Sequence, residues 1–545
     1  MNTWIYEGGG FSPTEVETKN YLAVLDSGLR ILDPVQFSEA EKAALPRVEV
    51  RRGQAIGDAV AFLLQGDSSV LRKMWREDTD FWPLTGPNFS TVLFTDSSFM
   101  EYLLKNDDLT HRFSPPLEAI REHVGANAVT IARRGNDPMD VDSAFMHRKL
   151  RKLLAPDFTP KGPEKHYNMY AEIIQRHASQ IFAYMARQSQ TARAWGREAK
   201  VDMSHLTARY TLGAVFESLF GYSDIDATLK QMKHDLTEQG KTSFSDFGDL
   251  KQFIRLANKW VSAINNTGGS LLAKKLYPGT HARYLEGKEK LKNYTDWMLE
   301  HARMTHSNGE QTMIGKLLEA HLIDTDNEQL NMRNRKIRES AVPGLSIVGF
   351  ETTALILQRF MFQLRSTPGL LEQIQSAVEV NDEQFLENVF FELSRLHPGI
   401  PRLPRVLNQD MILEKNGNRF LLPKETMLTF LIHAANKDPR FWGTEFDPEK
   451  FHPERWNAFR RDGVGSLSFP PFFFSFGAGN TQCTGPQFAL LEFKTFVKEM
   501  VQYGDQFSID VTGSDEAHFD WVISEHVQPK ITARLSRKKK RKIKL

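Results

Sequence analysis

One cysteine stands among 545 residues, in the stretch Phe474-Ser-Phe-Gly-Ala-Gly-Asn-Thr-Gln-Cys-Thr-Gly-Pro-Gln-Phe488. A single thiol excludes an intramolecular disulfide, so packing must hold the fold together, which fits a reducing compartment. Gly477 and Gly479 reach backbone conformations that other residues resist, and the segment before Cys483 reads as a tight loop. Pro486 suits the first position of a helix, and Ala489, Phe493, Phe496 and Met500 then recur at helical spacing. Cys483 is thereby placed at the mouth of a helix, where N–H groups and the helix dipole favour its thiolate, the form that ligates metals. A lone cysteine is ordinarily a small buried hydrophobe; the glycine-rich surroundings argue for chemistry instead.

Gly477-Ala478-Gly479 opens like a dinucleotide fingerprint, but Gln482 stands where the third glycine belongs, and that reading fails. The pattern Phe476-x-x-Gly479-x-x-x-Cys483-x-Gly485 resembles the haem-binding loop of the cytochromes P450. The resemblance implies that Cys483 is the axial thiolate of haem b, with Phe476, Gly477 and Gly485 shaping the loop, and that the iron activates dioxygen. Thr481 departs from the family, which usually has a basic residue there to pair with a haem propionate.

Further stretches extend the resemblance in family order, over roughly residues 75 to 530. Phe81 to Asp96 reads as a hairpin followed by a helix from Ser98 to Lys105. In Met146-His-Arg-Lys-Leu-Arg-Lys-Leu-Leu-Ala-Pro-Asp-Phe-Thr-Pro160, His147 and Arg151 share a helical face; alone they read as a solvated basic helix. The ending Phe158-Thr-Pro160 aligns the segment with the P450 helix that holds the haem propionates, in the His-x-x-x-Arg form of soluble bacterial members. Residues 163–305 read as mostly helical. The part from 225 to 275 is expected to be irregular, where the family's substrate-covering elements fall.

Ile347-Val-Gly-Phe-Glu-Thr-Thr-Ala354 sets a glycine and a carboxylate in an apolar stretch, a cost that something must offset. The resemblance makes this the long helix across the distal face of the haem. Gly349 would loosen the backbone there, and Glu351 and Thr352 match the family's acid–alcohol pair that delivers protons. Pro343-Gly344 should kink this helix. Glu392-Leu-Ser-Arg395 places acid and base on one helical face, ahead of the turn that leads to Arg405. By resemblance Glu392 and Arg395 form a buried structural network with Arg455, and Arg405 reaches a haem propionate.

The implied fold is mainly α with small β-sheets, the haem lying between the distal helix and the Cys483 loop and helix. One core is expected over 71–533, with a helical extension over 1–70, where Tyr21, Leu22, Val24 and Leu25 and then Ala59, Val60, Leu63 and Leu64 are apolar. Composition is ordinary for a soluble chain, 41% hydrophobic and 25% charged. Net charge is +1, and eight basic residues fall within 534–545, which leaves −7 for the rest. Such a run reads first as a solvated tail, next as a contact for an anionic membrane surface or an acidic partner. Nucleic acid is not expected, since no basic, aromatic-interleaved face accompanies the run. The first residues show no signal-peptide pattern, and Ser340 to Leu357 carries Pro343 and Glu351 and reads as a buried helix rather than a span. A cytoplasmic protein is expected.

The activity this implies is oxygen insertion by a haem-thiolate monooxygenase into a small organic substrate, with electrons from an external ferredoxin or reductase. Two alternatives stand beside it. Asn480-x-Gln482-Cys483 resembles the loop of hydroperoxide-rearranging P450s, which need no electron donor but lack the acid–alcohol pair. A non-catalytic haem protein draws on Thr481 and Pro343.

Overall fold

The computed structural model describes residues 21–25, 28–46, 81–85, 90–106, 108–111, 151–152, 158, 164–241, 278–305, 312–313, 315, 349–443, 445–460, 469–479, 482–506, 508–512, 517–519, 525–527 and 532–536. His147, Thr481, Pro343, Gly344, the apolar positions 59–64 and the chain beyond Ser536 lie outside them.

In chain order the strands are β1 (Tyr21–Val24), β2 (Arg30–Leu32), β3 (Phe81–Thr85), β4 (Ser90–Phe94), β5 (Thr110–His111), β6 (Ala199–Asp202) and β7 (Arg402–Leu407). They continue as β8 (Met411–Lys415), β9 (Asn418–Leu422), β10 (Met427–Leu431), β11 (Ser508–Thr512), β12 (Ala517–Phe519), β13 (Glu525–Val527) and β14 (Thr532–Ser536). The helices are α1 (Glu39–Ala44), α2 (Ser97–Lys105), α3 (Glu164–Ala194), α4 (Met203–Phe220), α5 (Ile225–Glu238) and α6 (Pro278–Thr305). Then come α7 (349–366), α8 (Leu370–Glu379), α9 (Glu383–Leu396) and α10 (Pro486–Gln502).

The chain divides into two units, Met1–His111 with Arg405–Phe430, and Arg112–Pro404 with Leu431–Leu545. The first is built on sheets, in the orders β1-β2-β8-β9 and β3-β4-β10-β7-β5. The hairpin read from Phe81 is present, Trp82 opposite Leu93. Pro83 is tolerated because β3 is an edge strand. β4 runs parallel to β10, Val92 opposite Leu428, and its run Val92-Leu93-Phe94 is buried, as expected of a strand covered on both faces. Asp96 caps α2 through its carboxylate, which accepts from Phe99 N at 2.9 Å.

Of the extension expected to be helical, the described part, residues 21–25 and 28–46, holds strands as well as the helix α1. Tyr21–Val24 is a strand, turned at Gly28 with φ 77° and paired antiparallel with β2. β2 in turn pairs with β8, Ile31 opposite Leu413. Apolar spacing in so short a segment does not distinguish helix from strand, and a distant sheet edge decides.

The second unit is helical, with one large apolar core around α3, α4, α7, α9 and α10. α4 is apolar on nearly every side and accordingly buried along its length, capped by Asp202 and closed by Gly221 at φ 77°. The start of the stretch expected to be irregular is instead a helix, Ile225–Glu238, capped by Asp224; residues 242–275 lie outside the described residues. Arg534, the first residue of the expected tail, lies in β14, the central strand of the sheet β11-β14-β6. Its neighbours Ala533 and Leu535 are buried in the core.

Candidate active site

Two left-handed glycines, Gly477 at φ 67° and Gly479 at φ 59°, fold the cysteine loop back on itself. The Cys483 N–H then donates to Phe476 O at 2.7 Å, and the Gly485 N–H donates to Cys483 Sγ at 3.3 Å. Ala489 N donates to Gly485 O, so α10 begins directly behind the sulfur with Pro486 in its first turn. Arg151 Nη1 donates to the backbone oxygen of Gln482. Phe158 meets Phe488 edge-on at 5.9 Å.

The loop is fixed from the side of α9. Phe476 stacks on Phe390 at 6.0 Å and on Phe469 at 5.7 Å. Ser475 Oγ donates to Ser394 O at 2.7 Å and accepts from Asn436 Nδ2 at 2.8 Å. Cys483 is exposed, yet protein atoms crowd the sulfur. That burial pushes the thiol up, while the Gly485 N–H and the Arg151 charge pull the other way. The crowding thus opposes the thiolate that the helix end favours, and binding a metal displaces the thiol proton.

Beneath the loop, Glu392 and Arg395 pair bidentately, both bonds 2.8 Å and both side chains fully buried. Arg455 Nε reaches Glu392 Oε1 at 3.3 Å, the His452 N–H the same oxygen at 2.9 Å, and Trp456 Nε1 the other at 3.0 Å. Arg395 also donates to Asn436 O and Pro448 O, each at 2.7 Å. Burying charge is tolerable only when every lone pair is used. Here Glu392 Oε1 accepts from three donors and Oε2 from two.

On α7, Gly349 has a packing reason. A β-carbon there would stand 3.2 Å from Val215 Cγ2, so the missing side chain lets α4 approach. Thr211 Oγ1 donates to Phe350 O at 3.0 Å, and Gln358 Nε2 to Thr207 Oγ1 at 3.2 Å, along the same seam. Glu351 and Thr352 are half-buried, and Thr352 packs against Gly399, where a β-carbon would lie 3.3 Å from Thr352 Cβ. Arg405 is buried on β7, in the other unit.

Sequence reasoning passed over Glu492, a carboxylate within the apolar stripe of α10. It is fully buried, and neither oxygen has a hydrogen-bond partner. Burial holds it well above the usual carboxylate range; the Thr353 hydroxyl of α7 offsets part of this but stops short of a formed bond. The contacts of Ser475, Asn436 and Trp456 were equally unforeseen, since their partners are distant in sequence.

Among the described residues no cluster of three or more His, Cys, Asp or Glu could hold a metal. The Gly485 N–H aimed at Cys483 Sγ is the kind of hydrogen bond that orients a thiolate ligand and tunes the metal it holds.

The Cytochrome P450 family profile matches residues 125–520. The chain belongs to the cytochrome P450 family. Human cytochrome P450 3A7 is 23% identical over 378 residues, covering 65% of this chain and 67% of that protein. Cytochrome P450 3A40 of Oryzias latipes is 22% identical over 414 residues, 72% of this chain and 74% of its own length. Over a shorter span, mouse cytochrome P450 3A13 is 28% identical across 197 residues, 32% of this chain and 37% of that protein. The mainly helical fold with small sheets is that of the P450s. As a P450 the protein is a haem-thiolate monooxygenase, an enzyme that takes a substrate and works with a redox partner. No helix among the described residues is long and apolar enough to cross a membrane.

Proposed function

We propose that Cys483 is the axial ligand of haem b and that the enzyme inserts one atom of dioxygen into a small apolar organic substrate. Electrons come from an external donor, a ferredoxin or an NADPH-dependent reductase. The observation that carries the reading is the Gly485 N–H aimed at Cys483 Sγ, in a loop whose backbone is pinned at Phe476 and Gln482. When bound, haem supplies the iron at which dioxygen is reduced and split.

The chain's own residues do the rest. The Gly485 N–H holds the sulfur in orientation and withdraws charge from it, and Arg151 secures the carbonyl one residue before. Arg151 and His147 are the candidates to hold a propionate through charge-assisted hydrogen bonds. Glu351 passes protons inward, and the Thr352 hydroxyl holds the last donor in position. The apolar stretch in which this pair sits favours an apolar substrate and keeps bulk water out.

The test is a ligand screen on purified holoprotein that follows the Soret band, with Cys483→Ser beside it. Cys483→Ser should lose the thiolate spectrum while keeping the fold; a retained thiolate spectrum rejects the ligand assignment. With a surrogate electron donor, Thr352→Ala and Glu351→Gln should each lower product formation by roughly 10²–10⁴-fold, the range of a lost acid–base group. Product from a fatty-acid hydroperoxide without reductant would instead favour rearrangement.

A further inference from the structure

Gly399, in the turn His397-Pro-Gly-Ile-Pro401 that follows α9, has no backbone reason to be glycine. Its φ lies outside the left-handed region that Gly477 and Gly479 occupy, so a side chain there would bring no strain of its own. The reason is a neighbour on α7. A β-carbon at 399 would stand 3.3 Å from Cβ, 3.4 Å from Cγ2 and 3.7 Å from Cα of Thr352, and these are its three nearest atoms. Thr352 thus turns its Cβ and methyl toward the bare α-carbon, and its hydroxyl is not among the atoms nearest the turn.

The turn is clamped at both ends. The His397 N–H donates to Leu393 O at 2.8 Å, and the Ile432 N–H donates to Pro401 O at 2.9 Å. Pro398 and Pro401, both buried, have their φ fixed on either side of Gly399. Two residues before His397, the fully buried Arg395 ties α9 to Glu392. Thr352 is the partner with freedom to lose. A helical threonine divides between two χ1 rotamers, and the rotamer that sets the methyl against Gly399 decides where Oγ1 points.

We propose that Gly399 is a positioning residue for the oxygen chemistry: its missing side chain seats the Thr352 methyl and so aims the Thr352 hydroxyl, which rests on the role given to Thr352 above. Dioxygen that takes up two electrons and two protons leaves as hydrogen peroxide. With a substrate, the same two electrons and two protons yield hydroxylated product and one water; without one, four of each yield two waters. The course taken depends on where protons are delivered, and a misaimed hydroxyl favours peroxide. A misplacement of about 1 Å can cost about 10²-fold, so a smaller shift of Thr352 is still readable.

The experiment drives full-length holoprotein with NADH through a surrogate ferredoxin system and measures hydrogen peroxide released per dioxygen consumed. Gly399→Ala should raise that fraction several-fold, toward the value of Thr352→Ala. It should also move the Thr352 methyl resonance in protein carrying isotope-labelled threonine. Thr352→Ser keeps the hydroxyl but empties the seat, so it too should raise the fraction. In the double variant Gly399→Ala/Thr352→Ser the alanine methyl refills the space, and the fraction should fall below that of either single variant, a coupling that a merely structural cost would not show. If Gly399→Ala does not accumulate as holoprotein, Thr352→Ser decides alone, and a wild-type fraction there overturns the positioning. So does a Gly399→Ala protein with a wild-type fraction or an unmoved methyl resonance, or a wild type that returns all its dioxygen as peroxide. A wild type that consumes no dioxygen is a different failure: it rejects the monooxygenase reading and this inference with it.

Discussion

Gly213 of α4 faces the imidazole of His177 on α3 so closely that a β-carbon there would stand 2.6 Å from Nδ1. The same ring holds Glu217 at 2.9 Å through Nε2, and Arg176 takes the other carboxylate oxygen. Gly213→Ala must push the ring off its partner inside a packed interface. The expected cost is about 1–3 kcal/mol, read as a lower denaturant midpoint with an unchanged slope. Gly213→Ala at wild-type stability would show that the helices separate freely.

Gly349 and Val215 make a second close approach, and this one can be repaired. Gly349→Ala should lose about 1–3 kcal/mol. Val215→Ala opens a space of matching position, so the double variant should be more stable than the sum of the singles predicts, the signature of coupling in a double-mutant cycle. Strict additivity would reject the steric account.

The buried network turns on Glu392. Arg395→Ala removes the bidentate partner of a buried carboxylate, leaving the longer Arg455 contact at 3.3 Å, and should cost about 3–5 kcal/mol, seen as loss of soluble holoprotein. Trp456→Phe keeps the aromatic volume and removes one donor, so about 1–3 kcal/mol should go. Thermal unfolding of the two variants orders them; a Trp456→Phe cost equal to that of Arg395→Ala would contradict the hierarchy.

Glu492 gives a pH dependence of opposite sense to that of ordinary carboxylates. Its folded pKa lies above the 4.5 of the unfolded chain, so between the two values the native state keeps a proton that the unfolded state has released. Stability then falls as pH rises through that window, by about 1.4 kcal/mol per pH unit for one group. Glu492→Gln should remove this slope and be the more stable protein at neutral pH. Unfolding free energies of both proteins from pH 4 upward decide it; parallel curves would mean that Glu492 ionises freely.

The sequence spoke clearly where chemistry or local geometry was at stake. The two glycines ahead of Cys483, Pro486 and the stripe from Ala489 to Met500 describe a loop and helix that the structure contains, and the hairpin from Phe81 is there as well. Glu392 and Arg395 sit three apart and meet as that spacing requires. What stayed hidden depends on partners far along the chain. β1 and β2 are strands because β8, almost 400 residues on, offers an edge. Gly349 looks like a flaw in a helix until Val215 is placed against it. The thiol of Cys483 is raised by how many atoms surround it, which no local pattern reveals. Glu492 did leave a trace, a carboxylate between Ala489 and Phe493 on the buried side of its helix.

Ser475 joins the cysteine loop to Ser394 and Asn436, positions about eighty and forty residues upstream. A nascent chain can form the sheets β1-β2-β8-β9 and β3-β4-β10-β7-β5 and most of the helices before those three meet. Until they do, the sulfur rides on a hairpin with no fixed bearing. Uptake of the pigment is thus placed late in maturation, and the appearance of colour becomes a timer for the closing of the polypeptide.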